Sequence, residues 1–302
     1  MTDYEKRLEI PKGKIDAVLD TDAYNEIDDQ YAIAFMVRSK EKINVKAMYA
    51  APFFNNKVNT PGEGMQKSFD EIIHILTLCG EDELCKNVYP GSESYLKDES
   101  APVESIAARD LVERSKGYDA ANPLYVVAIG AITNVASALI MDPTLKDRIV
   151  VVWLGGHAHF WDHTKEFNMV QDIAAARVVM GCGVPFIQLP CMGVVSDFRI
   201  SGPELEYWLV NKNPLADYLA RHAIEEAESY AKGTSWTRII WDVTAVAFLL
   251  NDDDRYMYTE LRQTLLPAYD GVYEKEPIDR PQRYVKAIRR DKLMTDLIKK
   301  LI

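Results

Sequence analysis

The amino-acid sequence predicts an α/β fold: an open, mostly parallel, doubly wound sheet with a helical C-terminal portion. Two observations lead to this class. Short apolar runs without strict alternation recur between residues 15 and 189, as expected for parallel strands that are covered on both faces. Stretches with apolar residues at helical spacing separate these runs, and such alternation is typical of a doubly wound sheet.

The predicted elements follow one another in a regular order. Strands are expected at residues 15–19, 45–51, 124–129, 149–154 and 184–189. Helices are expected at residues 29–37, 68–78, 134–140 and 173–180, and in the last third of the chain at 215–232, 243–250 and 291–302. Because no Gly/Ser linker, charge block or internal repeat interrupts the chain, residues 1–302 are predicted to form a single domain.

Composition and charge are those of an ordinary globular protein. Of the 302 residues, 48% are hydrophobic and 27% are charged, which excludes the disordered, collagen-like and coiled-coil classes. The 46 Asp and Glu outnumber the 35 Lys and Arg, and a net charge of -11 argues against binding of nucleic acid. No apolar run approaches the ~20 residues of a membrane span. No leader-like apolar segment opens the chain, so no membrane contact and a cytoplasmic location are expected.

Cysteine and glycine patterns exclude further classes. The 4 cysteines contain no CxxC pair, which argues against a disulfide framework and a zinc knuckle. Neither GxGxxG nor GxxxxGKS/T occurs after a predicted strand, so dinucleotide and Walker-type phosphate sites are not indicated.

An acidic segment follows the first predicted strand. Residues 20–29 read Asp-Thr-Asp-Ala-Tyr-Asn-Glu-Ile-Asp-Asp, with the carboxylates at the strand end where ligands of open α/β sheets bind. Helix capping explains one or two of these side chains but not all of them. Their mutual repulsion calls for a cation, and ligands that are all oxygen select Ca²⁺ or Mg²⁺. The segment therefore predicts a metal site.

Polar residues follow other predicted strands as well. They are Thr133-Asn134, Glu166-Phe167-Asn168 and Trp241-Asp242. Helix capping is a sufficient explanation for Thr133 or Asp242 taken alone. Their joint occurrence in this order is more informative.

This order resembles the inosine-uridine nucleoside hydrolase family, whose first strand ends in DxDPGxDD and is followed by a TN turn, a GG…EFN segment and an Asp that begins a C-terminal helix. The corresponding residues here are Asp20-Thr21-Asp22 with Asp28-Asp29, Thr133-Asn134, Gly155-Gly156 with Glu166-Phe167-Asn168, and Asp242. The resemblance spans residues 20–242. It implies a Ca²⁺-dependent hydrolase that cleaves the N-glycosidic bond of ribonucleosides to give ribose and free base.

The resemblance also implies roles for individual residues. Asp22, Asp29, Asp242 and the backbone carbonyl of Thr133 would hold one Ca²⁺, and Asp22 would accept the proton of the attacking water. Ribose would be bound by Asp28, Glu166, Asn168 and an asparagine after the second strand, for which we choose Asn55 over Asn56. Asp242 and Trp241 would also contact the substrate. A homodimer or homotetramer is expected.

The chain departs from the family pattern in two places. A longer segment, Ala23–Ile27, replaces the Pro-Gly pair, so Tyr24 or Glu26 is expected to enter the site. Trp241 precedes Asp242 where other branches carry a leaving-group histidine, which is similar to the purine-specific branch. Trp241 would stack on a purine or, alternatively, pack in the core.

The source of a leaving-group proton stays open. His157, His159 and His163 are candidates, and their segment also resembles a transition-metal site by composition. Two alternative functions remain. One is a haloacid-dehalogenase-like phosphohydrolase, which needs Asp20 as the nucleophile, Asp22 as the general acid and a later Lys. The other is a catalytically silent nucleoside- or ribose-binding protein.

Overall fold

A computed structural model describes residues 2–302, and a large sheet flanked by helices is its main feature. The strands are β1 (Ile15–Thr21), β2 (Ile43–Ala50), β3 (Val88–Pro90), β4 (Leu124–Ala128), β5 (Ile149–Leu154), β6 (Phe186–Leu189), β7 (Arg199–Ser201), β8 (Thr237–Ile239), β9 (Met257–Gln263) and β10 (Pro281–Ile288). The helices are α1 (Asp3–Arg7), α2 (Asp28–Val37), α3 (Pro61–Cys79), α4 (Ile106–Ser115), α5 (Thr133–Met141), α6 (Phe167–Gln171), α7 (Ile173–Gly181), α8 (Gly202–Trp208), α9 (Pro214–Ala231), α10 (Val243–Leu249) and α11 (Arg290–Leu301). Short 3₁₀ turns lie at Leu84–Asn87, Pro143–Asp147, Val195–Asp197 and Asp252–Asp254.

The sheet has 8 strands in the order β3-β2-β1-β4-β5-β6-β10-β9, and β7 pairs with β8 in a separate ribbon. All neighbours in the large sheet are parallel except β9, which runs antiparallel to β10. The chain builds outward from β1 to β3 on one side and then returns to β4 on the other. This confirms the open, doubly wound class and places the topological switch between the carboxyl ends of β1 and β4.

The helices cover both faces of the sheet because the central strands are apolar on both sides. Along β1, Val18 belongs to the apolar cluster that includes α4, α5 and α7, whereas Leu19 belongs to the cluster that includes α2, α10 and α11. Successive strand residues point to opposite faces, so a continuous apolar run is what such a two-sided core requires. Within residues 2–302, no helix is both long enough and apolar enough to cross a membrane.

The C-terminal third is less helical than the sequence predicts. Helices α9, α10 and α11 are present where expected, but β9 and β10 extend the sheet beyond β6. Charged residues interrupt the apolar residues of both strands, and β10 buries Arg283, whose guanidinium donates to the carbonyl of Leu8 at 2.9 Å and bonds Glu9. Their pairing with β6 is a tertiary contact that local apolar patterning does not reveal.

Candidate active site

Three aspartates from two helices meet at the topological switch. Asp28 and Asp29 begin α2, Asp242 directly precedes α10, and these two helices pack against each other. One carboxylate oxygen from each of the three residues lies within 4.8 Å of the others, and all three residues are buried. We call Asp28, Asp29 and Asp242 the aspartate cluster. Asp22, in the loop between β1 and α2, lies beside it.

These carboxylates are not helix caps. The N-cap residue of α2 is Ile27, and Asp242, although it occupies the N-cap position of α10, makes no capping hydrogen bond through its side chain. Thr133 is likewise not an N-cap, because α5 is preceded by Ile132. Helix capping therefore does not explain Asp28, Asp29, Asp242 or Thr133. Asp29 accepts a hydrogen bond from the hydroxyl of Thr21 at 2.5 Å, but one neutral donor does not balance several buried carboxylates, which need another stabilising group.

The electrostatics of the site favour a cation. Burial, followed by the charges of neighbouring carboxylates, raises the pKa of Asp22, Asp29 and Asp242 well above the ordinary range. Burial and the charge of Glu26 raise the pKa of Asp28 to about 7. Both side-chain oxygens of Asp22 lack a hydrogen-bond partner within residues 2–302. An all-oxygen donor set of this kind fits a hard divalent cation.

A cavity of about 260 Å³ opens over these carboxylates. Most of the residues that the sequence assigned to the site line it, namely Asp22, Asp28, Asp29, Glu166, Asn168, Trp241 and Asp242. Trp241 is half-buried and also packs against the apolar core, so stacking on a base and core packing are both compatible with its position.

Glu166 and Asn168 also line the cavity, and several hydrogen bonds hold them in place. The carboxylate of Glu166 accepts hydrogen bonds from the backbone N–H groups of Asn168 at 2.8 Å and of Gly156 and Met169 at 2.9 Å. Burial raises its pKa to about 7. The Nδ2 of Asn168 donates to the carbonyls of Ile129 and Leu154, each at 3.0 Å, which leaves its Oδ1 as an acceptor.

Two predicted site residues lie outside the cavity lining. The hydroxyl of Thr133 donates to Asp172 at 2.7 Å, so its side chain braces α7. The role of its carbonyl as a metal ligand stays a prediction. Asn55 donates through Nδ2 to Oδ1 of Asn25 at 2.8 Å, and Asn25 is the residue that lines the cavity. The cavity asparagine of this pair therefore comes from the lengthened loop and not, as expected, from the segment after β2.

The lengthened loop, Ala23–Ile27, reaches the cavity through Glu26, one of the two residues expected there. Glu26 lines the cavity and forms an ion pair with Arg238 at 3.2 Å, whereas Tyr24 does not line it and is 42% exposed. The ammonium group of Lys57 donates to the backbone carbonyl of Asn25 at 2.6 Å. These contacts fix the loop against the rest of the site.

The histidine-rich segment does not assemble as a metal centre. His157 lines the cavity, but Nε2 of His159 lies 3.2 Å from Oε1 of Gln188, and its ring contacts Tyr273 and Tyr284. In the part of the chain that the structure describes, the group of metal-binding side chains that comes together is the aspartate cluster.

Cys191 is a further cavity residue that the sequence argument missed. It is buried, and the pKa of its thiol is raised well above the usual value by burial and then by the charge of Glu166. It follows the end of β6 by two residues. The rule that ligands bind at the carboxyl ends of the strands would therefore have found it.

Comparison with known proteins shows what this arrangement is similar to. The family model described as inosine-uridine preferring nucleoside hydrolase matches residues 17–272. A pyrimidine-specific ribonucleoside hydrolase, RihA, of Citrobacter koseri is 25% identical over 263 residues, which cover 77% of this chain and 82% of that protein.

Two solved structures share the fold. The plant nucleoside hydrolase PpNRh1 has a TM-score of 0.74 at 19% identity and covers 96% of this chain and 99% of its own. A purine-preferring ribonucleoside hydrolase from Gardnerella vaginalis has a TM-score of 0.74 at 18% identity, with 95% and 98% covered. At this identity the likeness concerns the fold alone.

Proposed function

Because the chain belongs to the inosine-uridine preferring nucleoside hydrolase family, we propose that it is an N-glycosidase that uses a divalent cation to hydrolyse ribonucleosides to ribose and free base. The observation that carries this proposal is the group of buried carboxylates at the topological switch. Both oxygens of Asp22 are enclosed without a partner beside the aspartate cluster. A bound cation stabilises such a group in its ionised form.

We propose Ca²⁺ as the cation and Asp22, Asp29, Asp242 and the carbonyl of Thr133 as its protein ligands. The donor set supports this, because carboxylate and carbonyl oxygens in an irregular arrangement suit Ca²⁺ better than the strict octahedron of Mg²⁺. When bound, the cation supplies a Lewis acid that polarises oxygen atoms of water and of sugar hydroxyls. The nearby guanidinium of Arg238 pairs with Glu26 and Glu226 and therefore does not replace it.

Asp22 is the proposed general base. Its oxygens have no competing hydrogen-bond donor within residues 2–302, which leaves them available to accept a proton from water. Gly130 leaves room for it, because a Cβ at that position would lie 2.9 Å from Oδ1 of Asp22. Departure of the nucleobase leaves positive charge on the sugar, and the surrounding carboxylates stabilise that charge.

Asp28, Glu166 and Asn168 are the proposed ribose ligands. All three line the cavity and have acceptor oxygens, which the hydroxyl groups of a sugar require. For Asn55 we propose an indirect role, because its amide holds Asn25 against the cavity.

We further propose a preference for purine over pyrimidine nucleosides. Its support is Trp241, an indole in the cavity lining that can stack on a purine ring as that ring becomes cationic. A cation over an indole gains up to about 2 kcal/mol when desolvated. The named specificity of the RihA relative points to the opposite preference. The relative rates of hydrolysis of purine and pyrimidine nucleosides distinguish the two preferences.

The test is the initial rate of ribose release from inosine, guanosine, uridine and cytidine at saturating Ca²⁺. We expect ribose to be released, with kcat/KM for inosine above that for uridine. Tight ribose binding by calorimetry without release would indicate a silent binding protein. Phosphate release from phosphoesters would favour the phosphohydrolase, although Asp20, its required nucleophile, is fully buried and bonded to Asn134 at 2.8 Å.

Two further proposals concern organisation. We propose that residues 1–302 act as one domain, because α2 of the N-terminal half and α10 and α11 of the C-terminal part share one apolar cluster. We also propose a homodimer or homotetramer, since Tyr207 and Tyr230 are 70% and 64% exposed, and exposed aromatic side chains are typical of interfaces. Light scattering tests the assembly.

A further inference from the structure

His157 is a neutral hydrogen-bond donor in a cavity whose side chains are mostly acceptors. It follows Gly155-Gly156 at the end of β5, is 7% exposed and lines the cavity together with Glu166 and Met192. The proposed reaction does not yet use this side chain. What it can do depends on which ring nitrogen carries the proton.

The protein fixes that proton. Nδ1 of His157 accepts a hydrogen bond from the backbone N–H of Met192 at 3.3 Å. A backbone N–H can only donate, so Nδ1 is unprotonated and the proton of the neutral ring lies on Nε2. The carbonyl of His157 accepts from the hydroxyl of Tyr273 at 3.0 Å, and that hydroxyl accepts from Gln188 at 2.8 Å. Ring and backbone are therefore both held in place.

Nε2 is the free end of the ring. It makes no hydrogen bond within residues 2–302, and it is not among the fully enclosed polar atoms that lack a partner. Burial, together with the neighbouring His163, lowers the pKa of His157 to about 4. A neutral imidazole with its proton on Nε2 has no proton to give to a departing base, because the product would be an imidazolate anion.

We propose that the Nε2–H of His157 donates a hydrogen bond to the 5′-hydroxyl oxygen of the ribose, and that His157 is not the leaving-group acid. This inference deepens the proposed function and rests on it. His157 adjoins Gly156, whose N–H donates to the carboxylate of Glu166 at 2.9 Å, so His157 lies beside a proposed ribose ligand. The vicinal 2′- and 3′-hydroxyls suit the carboxylate-rich side, which leaves the 5′-hydroxyl for a neutral donor.

A nitrophenyl riboside separates the two roles. Nitrophenolate departs as a stable anion and needs no proton, whereas a nucleobase does. We expect His157→Phe to lower kcat/KM about tenfold, the scale of one lost hydrogen bond, for both inosine and 4-nitrophenyl β-D-ribofuranoside. On the 5-deoxy analogue of the nitrophenyl riboside, wild type and His157→Phe should differ by less than about twofold, because the accepting oxygen is absent. A large loss on inosine with no loss on the nitrophenyl riboside would identify an acid and overturn the proposal.

The control variants keep the result interpretable. His163→Phe changes a neighbouring ring that does not line the cavity and should leave all three rates unchanged. His157→Gln keeps a donor and should recover part of the rate lost in His157→Phe. If His157→Phe does not fold, His157→Gln takes its place on the two nitrophenyl ribosides, and wild type should hydrolyse the 5-deoxy analogue about tenfold more slowly than the parent riboside. Equal rates on the two would refute the contact.

A ¹⁵N NMR measurement tests the tautomer directly. The chain has 5 histidines, so single substitutions assign His157. Its Nδ1 should show the shift of an unprotonated nitrogen between pH 5.5 and 8, and ribose, but not 5-deoxyribose, should move the Nε2 signal. A proton on Nδ1 would refute the inference. Failure of wild type to hydrolyse any riboside would instead refute the proposed function.

Discussion

Replacement of Asp22 by Asn should lower activity and raise the stability of the cation-free protein. The substitution keeps the size of the side chain but removes a proton acceptor and a negative charge. Loss of a general base costs about 10²- to 10⁴-fold in rate. We expect kcat to fall at least about 100-fold, which is about 2.7 kcal/mol of transition-state stabilisation.

The stability change has the opposite sign because Asp22 has no structural partner to lose. Neither of its oxygens accepts a hydrogen bond within residues 2–302, and the charges of Asp29, Asp28 and Glu166 disfavour its ionised form. An amide removes this repulsion. We expect a gain of about 1 kcal/mol at pH 8 in the presence of a chelator, or about 2 °C in Tm. The gain should be smaller at pH 5, where a carboxyl with a raised pKa is already neutral.

Ribose release at saturating Ca²⁺ and thermal unfolding with a chelator measure the two effects. Asp20→Asn is the matched control, because Asp20 is equally buried but does not line the cavity and accepts from Asn134 at 2.8 Å, which Asn can still do. Its kcat should stay within about tenfold of wild type. Near-normal turnover of Asp22→Asn, or a lower Tm than wild type with chelator at pH 8, would refute the reasoning.

Three further predictions follow from the site. Trp241→Ala should lower kcat for inosine about tenfold with a smaller change for uridine and for ribose affinity; equal losses on both nucleosides with a lower Tm would indicate core packing instead. Because burial raises the folded-state pKa of the proposed cation ligands Asp29 and Asp242 well above the ordinary range, the cation must displace protons from them at the lower pH values. Calorimetry should therefore show Ca²⁺ binding more tightly as the pH rises from 5 to 8, while the Tm of the cation-free protein falls over the same range; affinity independent of pH would contradict this. Asn55→Ala should raise KM several-fold with little change in kcat, since it releases the 2.8 Å contact that holds Asn25; an unchanged KM would exclude this positioning role.

The positions of the aspartates follow from local sequence, which is why they could be predicted. Asp28 and Asp29 directly begin α2, and Asp242 directly precedes α10. Asp28 and Asp29 come after β1, and parallel strands bring the residues that follow them to one edge of the sheet. Asp242 instead follows β8 of the separate ribbon and reaches the site because α10 packs against α2. The same local logic predicted Glu166 and Asn168 after β5. The family resemblance supplied the roles, and the sequence patterns supplied the positions.

The features that escaped prediction depend on contacts between distant segments. Strand β10 joins the sheet by pairing with β6. Because Arg283 and Lys286 interrupt its apolar residues, apolar patterning does not predict it. Asn25 and Asn55 are 30 positions apart, and which of them faces the cavity depends on the path of the lengthened loop. The tautomer of His157 depends on the backbone of Met192, which lies in a different loop.

Hydrolysis of ribonucleosides with a bound cation is tested most directly by ribose formation from inosine and uridine in phosphate-free buffer, after chelation and again after return of Ca²⁺. We expect that chelated wild type releases no ribose, that Ca²⁺ restores release, and that Asp242→Asn stays inactive at Ca²⁺ concentrations that saturate wild type. Ribose release that persists in the chelator, or no release from either nucleoside when Ca²⁺ is present, would contradict this expectation.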